Sequence, residues 1–262
     1  MIKIKKSSEC LIYGKYNLIL EDDTNIFAYE RILNDEKFLV ICNLKSESSN
    51  YKYEKLTLKY ENLILSNYNV DGITFDDYFY PTDYPLPEGE DKDGSVANAR
   101  REHINQMILQ VKNTIKSIKP WVRFGVSPRG VWKNKINDPN GSDTGYAKES
   151  YYSDYADTVK WVKEGYIDYI IPQVYWEIEH NVAPFKTVTN WWENVVKGTN
   201  VDLYIGHTTD KDVVAKEIDT QIQYTKQFST IKGNSYYNVT SIMNNNQGTR
   251  DKIKNSIVQT FP

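Results

Sequence analysis

The segment DGITFDDYFYP (71–81) holds the most suggestive chemistry in the chain. An apolar run ends in two adjacent carboxylates, Asp76 and Asp77, followed at once by Tyr78, Phe79 and Tyr80. Neighbouring side chains on an extended backbone point to opposite faces, so one carboxylate can face a pocket while the other braces its rim. Glycoside cleavage commonly uses carboxyl groups, and aromatic rings beside them can hold the sugar. The carboxylate stabilises or attacks an oxocarbenium-like centre while the rings stack on the sugar. The competing structural role is a helix cap or a loop salt bridge. QVYWEIEH (173–180) supplies a second set. Glu177 becomes a candidate proton donor if Trp176 lowers the local polarity; a solvated loop glutamate is at least as good a reading. Gln173 and Tyr175 alternate with Val174, so both can turn inward and hydrogen-bond hydroxyl groups. FGVSPRGVW (124–132) contributes Arg129, suited to a carboxylate of the substrate or of the rim, and Trp132, a flat platform for a sugar. Ser127 lacks a Gly-x-Ser-x-Gly setting and is no nucleophile. In YIGHTTDK (204–211), His207 is a substrate hydrogen-bond partner or a structural histidine in equal measure.

These residues need a scaffold, and the hydrophobic pattern describes one. Runs at 69–76, 121–128, 166–176, 201–207 and 235–243 read as strands. They are nearly all apolar, as in a parallel sheet covered on both faces. Between them, Ile104, Ile108, Val111, Ile115 and Ile118 step along one helical face and Pro120 closes that helix. Segments 150–164, 185–197 and 211–228 show weaker helical patterns, and the tail reads as a loop and a short amphipathic helix. Strand and helix in alternation mean βα units, either in a barrel or in an open doubly wound sheet. Polar and aromatic residues cluster just after each strand, the positions that form a barrel's catalytic rim. No Gly-rich phosphate loop follows any strand, which counts against a nucleotide-binding sheet.

Residues 1–69 differ. Short runs at 10–20, 26–33, 37–44, 51–60 and 62–67, separated by EDDTN, NDE and KSESSN, predict a small antiparallel sandwich. The domain boundary therefore falls between 68 and 69, with an accessory β-domain at 1–68 and a βα unit at 69–262.

Composition sets outer limits. The 262 residues hold 32 Lys and Arg against 35 Asp and Glu. Residues 1–70 carry ten of each, so neither part has the basic face of a nucleic-acid binder. Six Trp, 21 Tyr and eight Phe suit a sugar-gripping surface, or simply a core drawn from AT-rich codons. No run of eighteen apolar residues exists, so no membrane span is expected. The start shows no signal-peptide pattern, which predicts a cytoplasmic chain. His103, His180 and His207 are not at metal-ligand spacing, and Cys10 and Cys42 read as two reduced, buried thiols. No metal and no cofactor is expected.

VDGITFDDYFYP, ARREHIN, KPWVRFGVSPRGVW, YADTVKWVKEGYIDYIIPQVYW, WWENVVKGTNVDLYIGH and SIMNNNQGTRDKI occur in order from about 69 to the end. Together they resemble the glycosyl-hydrolase-like family 10, bacterial (β/α)8-barrel glycosidases. The resemblance implies an α/β fold, a partial TIM barrel made of strands 4 to 8. It implies a retaining or inverting O-glycosidase acting on a bacterial glycan such as a cell-wall polymer. Asp76 and Asp77 fall on the family's strand-4 acidic motif, and Gln173, Tyr175 and Trp176 on its strand-6 motif. The Asp71 to Asp76 spacing also resembles the α-amylase strand-4 nucleophile motif, which favours Asp76 as nucleophile, with Asp77 or Glu177 as acid/base. Tyr78, Tyr80, Arg129, Trp132 and His207 join the substrate-binding set. Two departures stand out: nothing supplies strands 1 to 3, and family members often carry Gln where His207 stands. Relatives are often exported.

The run ECLIYGKYNLILEDDTNIFAYERILNDEKFLVICNL is similar to the C-terminal β-domain of oligo-1,6-glucosidase-type enzymes. The chain thus resembles the tail of one glycosidase joined to the later strands of another, near SNYNVDG. Five parallel strands without the first three should leave two open sheet edges. The alternative function is an inactive barrel remnant that binds carbohydrate without turning it over.

Overall fold

The computed structural model describes residues 15–19, 26–34, 36–43 and 70–258. The chain divides into two compact units, Met1–Ile64 and Leu65–Pro262. In the first, β1 (Lys15–Ile19), β2 (Ile26–Leu33) and β3 (Glu36–Asn43) form an antiparallel sheet in that order. Lys15 pairs with Ile32 and Leu33 with Glu36 across a tight turn, where Asn34 takes a positive φ of 53°. Asparagine tolerates that left-handed backbone better than most residues. The runs at 51–60 and 62–67 and Cys10 lie outside the described residues, as does the side chain of Cys42.

The second unit is an α/β fold built on a parallel sheet of five strands, β4 (Gly72–Phe75), β5 (Arg123–Val126), β6 (Tyr169–Ile170), β7 (Asp202–Thr208) and β8 (Ile231–Tyr237). Their spatial order follows the chain, β4-β5-β6-β7-β8. Among the described residues the order never reverses, so these five strands have no switch point of the doubly wound kind. It grows in one direction, as part of a β/α barrel does. Phe75 pairs with Val126, Val126 with Ile170, Ile170 with Leu203 and Leu203 with Ile231, which lays the apolar positions side by side. Phe124, Ile170, Leu203 and Ile205 are fully buried.

The first crossover is α1 (Ser95–Ile118). Ile104, Ile108, Val111 and Ile115 are buried as the spacing predicts, while Ile118 at the last position of the helix is 36% exposed. Where one helix was expected over 150–164 there are two short ones, α2 (Ser150–Ser153) and α3 (Thr158–Lys163). Tyr155 adopts a positive φ between them, and the Asp157 carboxylate accepts from the Lys160 N–H to start α3. α4 (Phe185–Val196) buries Phe185, Val188 and Trp192 on one stripe. α5 (Asp212–Ala215) and α6 (Ile218–Thr225) divide the segment expected as one helix over 211–228.

One strand expectation is displaced. SYYNVTSIM reads as a strand over 235–243, but β8 ends at Tyr237 and residues 239–243 form α7 (Val239–Met243). The cause is Asn238, whose side chain accepts from the Ser241 N–H and caps the helix. β-branched residues after that cap suggested a strand that the cap overrides. A 3-10 turn and α8 (Thr249–Val258) complete the described chain.

Candidate functional site

Each strand of the parallel sheet hands its C-terminal end to a polar or aromatic side chain. Beyond the strands proper, isolated parallel pairings join Arg129 to Gln173 and Gln173 to Gly206, so these positions form one row across the rim. The Gln173 N–H donates to the Pro128 carbonyl at 2.9 Å, and the Val174 N–H to Gly206 at 2.9 Å. Glycine at 130 allows the close approach. A Cβ there would lie 2.5 Å from the Gln173 carbonyl oxygen and 2.7 Å from the Trp176 ring.

At the end of β4, Asp76 is exposed and Asp77 half-buried. Asp76 Oδ1 accepts from Gln173 Nε2 at 2.9 Å and from the Asp77 N–H at 2.9 Å. The same Gln173 amide donates to the Ser127 carbonyl at 3.0 Å. One glutamine thus ties the ends of β4, β5 and β6 together and points the Asp76 carboxylate across the sheet. Burial, and then the adjacent Asp76 charge, raise the Asp77 carboxyl above its ordinary value; Asp154 adds to this and Arg129 opposes it. Two neighbouring carboxyls in unlike surroundings are the arrangement from which acid and base roles separate.

Arg129 is engaged by protein. Its Nε donates to Asp154 Oδ2 at 2.5 Å, and its Nη2 to Thr82 Oγ1 at 2.9 Å; Thr82 in turn donates to Asp154 Oδ1 at 2.9 Å. The Asp154 side chain is 1% exposed. Its burial raises its carboxyl, with Arg129 and Thr82 holding the rise back. The rim acid that Arg129 orients is therefore Asp154, which the sequence reading passed over. No motif marks it: it sits in the break between α2 and α3.

Tyr175 is half-buried and stacks on Tyr237, centroids 6.0 Å apart and planes 24° apart. Burial, then the Asp76 and Asp77 charges, and further Tyr237 and Asp210, raise its hydroxyl. It stays protonated, as a donor, beside the acidic pair. Tyr237 is the second aromatic residue that sequence reasoning missed, because its run was assigned to a longer strand. It is 54% exposed and open to a ligand.

Tyr78 is 80% exposed. Tyr80 is buried edge-on to Tyr84 and Tyr155, a packing position rather than a platform. Trp132 is also buried, its indole N–H donated to Asp157 at 3.0 Å, and it stacks on Trp191 away from the acidic pair. Trp176 and Glu177 are half-buried. The Glu177 carbonyl accepts from Phe185 N–H at 3.0 Å, and among the described residues no hydrogen bond joins its side chain to Asp76 or Asp77. His207 is wholly buried. Its nitrogens lie 2.9 Å from Gln221 Oε1 and 2.7 Å from Asn234 Oδ1, and its ring stacks against Phe185 and Tyr236. Of its two readings, the structural one matches this packing, which leaves no ring nitrogen for a sugar. Among the described residues no group of three or more His, Cys, Asp or Glu could hold a metal ion, and no helix is long and apolar enough to cross a membrane.

The family model for glycosyl hydrolase-like 10 matches residues 56–226, more than half of the chain. The chain belongs to that family. Within this glycosyl hydrolase-like 10 chain, 212 residues are 35% identical to the glycosyl hydrolase YngK of Bacillus subtilis, taking in 74% of this chain and 42% of YngK. The glycosyl hydrolase DigH of Escherichia coli is 47% identical over 152 residues, 55% of this chain and 34% of DigH. A separate match, to the oligo-1,6-glucosidase of Halalkalibacterium halodurans, is 39% identical over 70 residues, 26% of this chain and 12% of that enzyme. The chain spans less than half the length of each of these relatives.

Proposed function

We propose that this chain carries the acidic centre of a glycoside hydrolase that cleaves O-glycosidic bonds of a bacterial glycan such as a cell-wall polymer. The observation that carries the reading is the unlike pair at the end of β4. Asp77, its carboxyl raised by burial and then by the Asp76 charge, is the better placed of the two to donate a proton to the glycosidic oxygen as the bond to the anomeric carbon breaks. Asp76, aimed by Gln173, serves as the carboxylate that stabilises or attacks the oxocarbenium-like centre; water then adds its oxygen to the anomeric carbon and its proton restores the Asp77 acid. Tyr175 donates from its hydroxyl, and the Tyr175–Tyr237 stack offers an aromatic wall for the sugar.

Asp76→Asn tests this. With purified protein and a bacterial cell-wall glycan, release of new reducing ends should fall by about a thousandfold. Unchanged turnover removes Asp76 from the chemistry. A second reading, glycan binding without turnover, is favoured by the exposure of Asp76 and by the position of β4 at one end of the sheet. Glycan retention by the wild-type protein with no product release would select it.

A further inference from the structure

A second aromatic site lies away from the acidic pair. The groove between α3 and α4, closed at one end by the loop that follows β5, forms a cleft of about 660 Å³. Trp132 and Trp191 line it, with Lys135 and Asp143 from the loop, Lys163 from α3 and Thr187 from α4. None of Asp76, Asp77, Gln173 or Tyr175 reaches it. The volume lies in the range of small-ligand pockets.

Its aromatic floor is fixed from several sides. Trp191 donates its indole N–H to the Asn140 carbonyl at 2.8 Å, Trp192 to Gly130 at 2.7 Å and Trp132 to Asp157 at 3.0 Å. Trp191 meets Trp192 edge-on at 4.9 Å and lies nearly parallel to Trp132, at 6.1 Å and 17°. Trp192 is fully buried, whereas Trp191 keeps part of its surface exposed. A half-open indole braced in this way binds a flat apolar face with little ordering cost. Around it, Lys135, Asp143 and Lys163 are exposed and form no ion pair among the described residues. Two ammonium groups against one carboxylate leave an excess of positive charge beside a sugar-sized aromatic plane.

We infer that this cleft is an accessory saccharide site for a sugar bearing a carboxylate, which packs its ring on Trp191 and turns its acid group toward Lys135 and Lys163. Binding here involves no bond cleavage and does not depend on the proposed chemistry at Asp76.

The test compares methyl β-D-glucuronide with methyl β-D-glucoside, which differ at the C6 carboxylate, by NMR of the assigned indole N–H signals of the full chain. The glucuronide should shift the Trp191 and Trp132 signals with a millimolar Kd, about fivefold tighter than the glucoside, the effect expected of an exposed ion pair. Trp191→Ala should abolish the effect at Trp132. The double variant Lys135→Gln/Lys163→Gln, confined to exposed side chains, should reduce glucuronide affinity to that of the glucoside. Asp76→Asn should bind as wild type does, which separates this site from the catalytic proposal. The inference is overturned if neither sugar shifts Trp191, if both bind equally well, or if binding survives Trp191→Ala.

Discussion

At the scale of single residues, the acidic pair owes its unlike character first to burial of Asp77 and the adjacent Asp76 charge, with a smaller addition from Asp154, a residue with no sequence motif. Asp154 is buried against Arg129 and adds to the rise of the Asp77 carboxyl, while Arg129 opposes it. Asp154→Asn removes a negative charge and frees the guanidinium, and both changes lower Asp77. An acid that must hold its proton works below its pKa, so the basic limb of the kcat/KM profile should move to lower pH. An unmoved limb with merely reduced activity would make Asp154 a packing residue. Asp154 is accordingly a positioning residue in this scheme, since it acts through Arg129 and Asp77. His207 shows the opposite outcome: of the two roles its sequence position allows, the fully buried ring, with its nitrogens against Gln221 and Asn234, matches the structural one.

At the scale of elements, the opposite end of the sheet supplies stability. Asp168, just before β6, meets Lys112 at 3.1 Å and Lys116 at 2.8 Å on α1 and accepts from the Phe124 N–H at 2.9 Å. Burial alone would raise this carboxyl, but Lys116, the Phe124 N–H and Lys112 outweigh it and hold it below its ordinary value. Polar anchors at the N-terminal end of parallel strands serve the scaffold, whereas those at the C-terminal end serve chemistry. Because the folded carboxyl is the lowered one, its contribution is present above roughly pH 4 and is lost as pH falls through the folded value. Asp168→Asn should therefore cost about 1–2 kcal/mol near neutral pH, after allowance for partial exposure. Thermal unfolding should show that difference shrinking below about pH 4. A gap that stays constant down to pH 3 would assign the loss to something other than these ion pairs.

For the whole molecule, the controlling fact is that among the described residues β4 and β8 end the sheet order while β5, β6 and β7 are paired on both sides. The outer strands alternate exposed and half-buried positions, and the inner ones are largely buried. Local opening is easiest where a ladder is one-sided and burial is least. Hydrogen exchange should thus be about tenfold or more faster in β4 and β8 than in β5 and β7. Equal protection across all five strands would mean that the outer strands are held from their other side. Asp76 sits at the end of an outer strand, so this measurement also reports how firmly the acidic pair is held.

Much of this was legible along the chain because it depends on near neighbours. The Asp76–Asp77 pair, the stripe of Ile104, Ile108, Val111 and Ile115, and the apolar runs of β4 to β7 are local patterns, and local periodicity follows directly from backbone geometry. The alternation of Gln173 and Tyr175 about Val174 belongs with them. Local spacing carried less where a cap or a turn intervened, as at Asn238 and Tyr155. Only the tertiary structure joined Asp154 to Arg129, stacked Tyr237 on Tyr175, buried His207 and set Trp132 against Trp191 outside the acidic rim. Those contacts pair residues on different elements. They are decided by the competition for burial and hydrogen-bond partners when the elements pack, and no spacing within one element encodes that outcome.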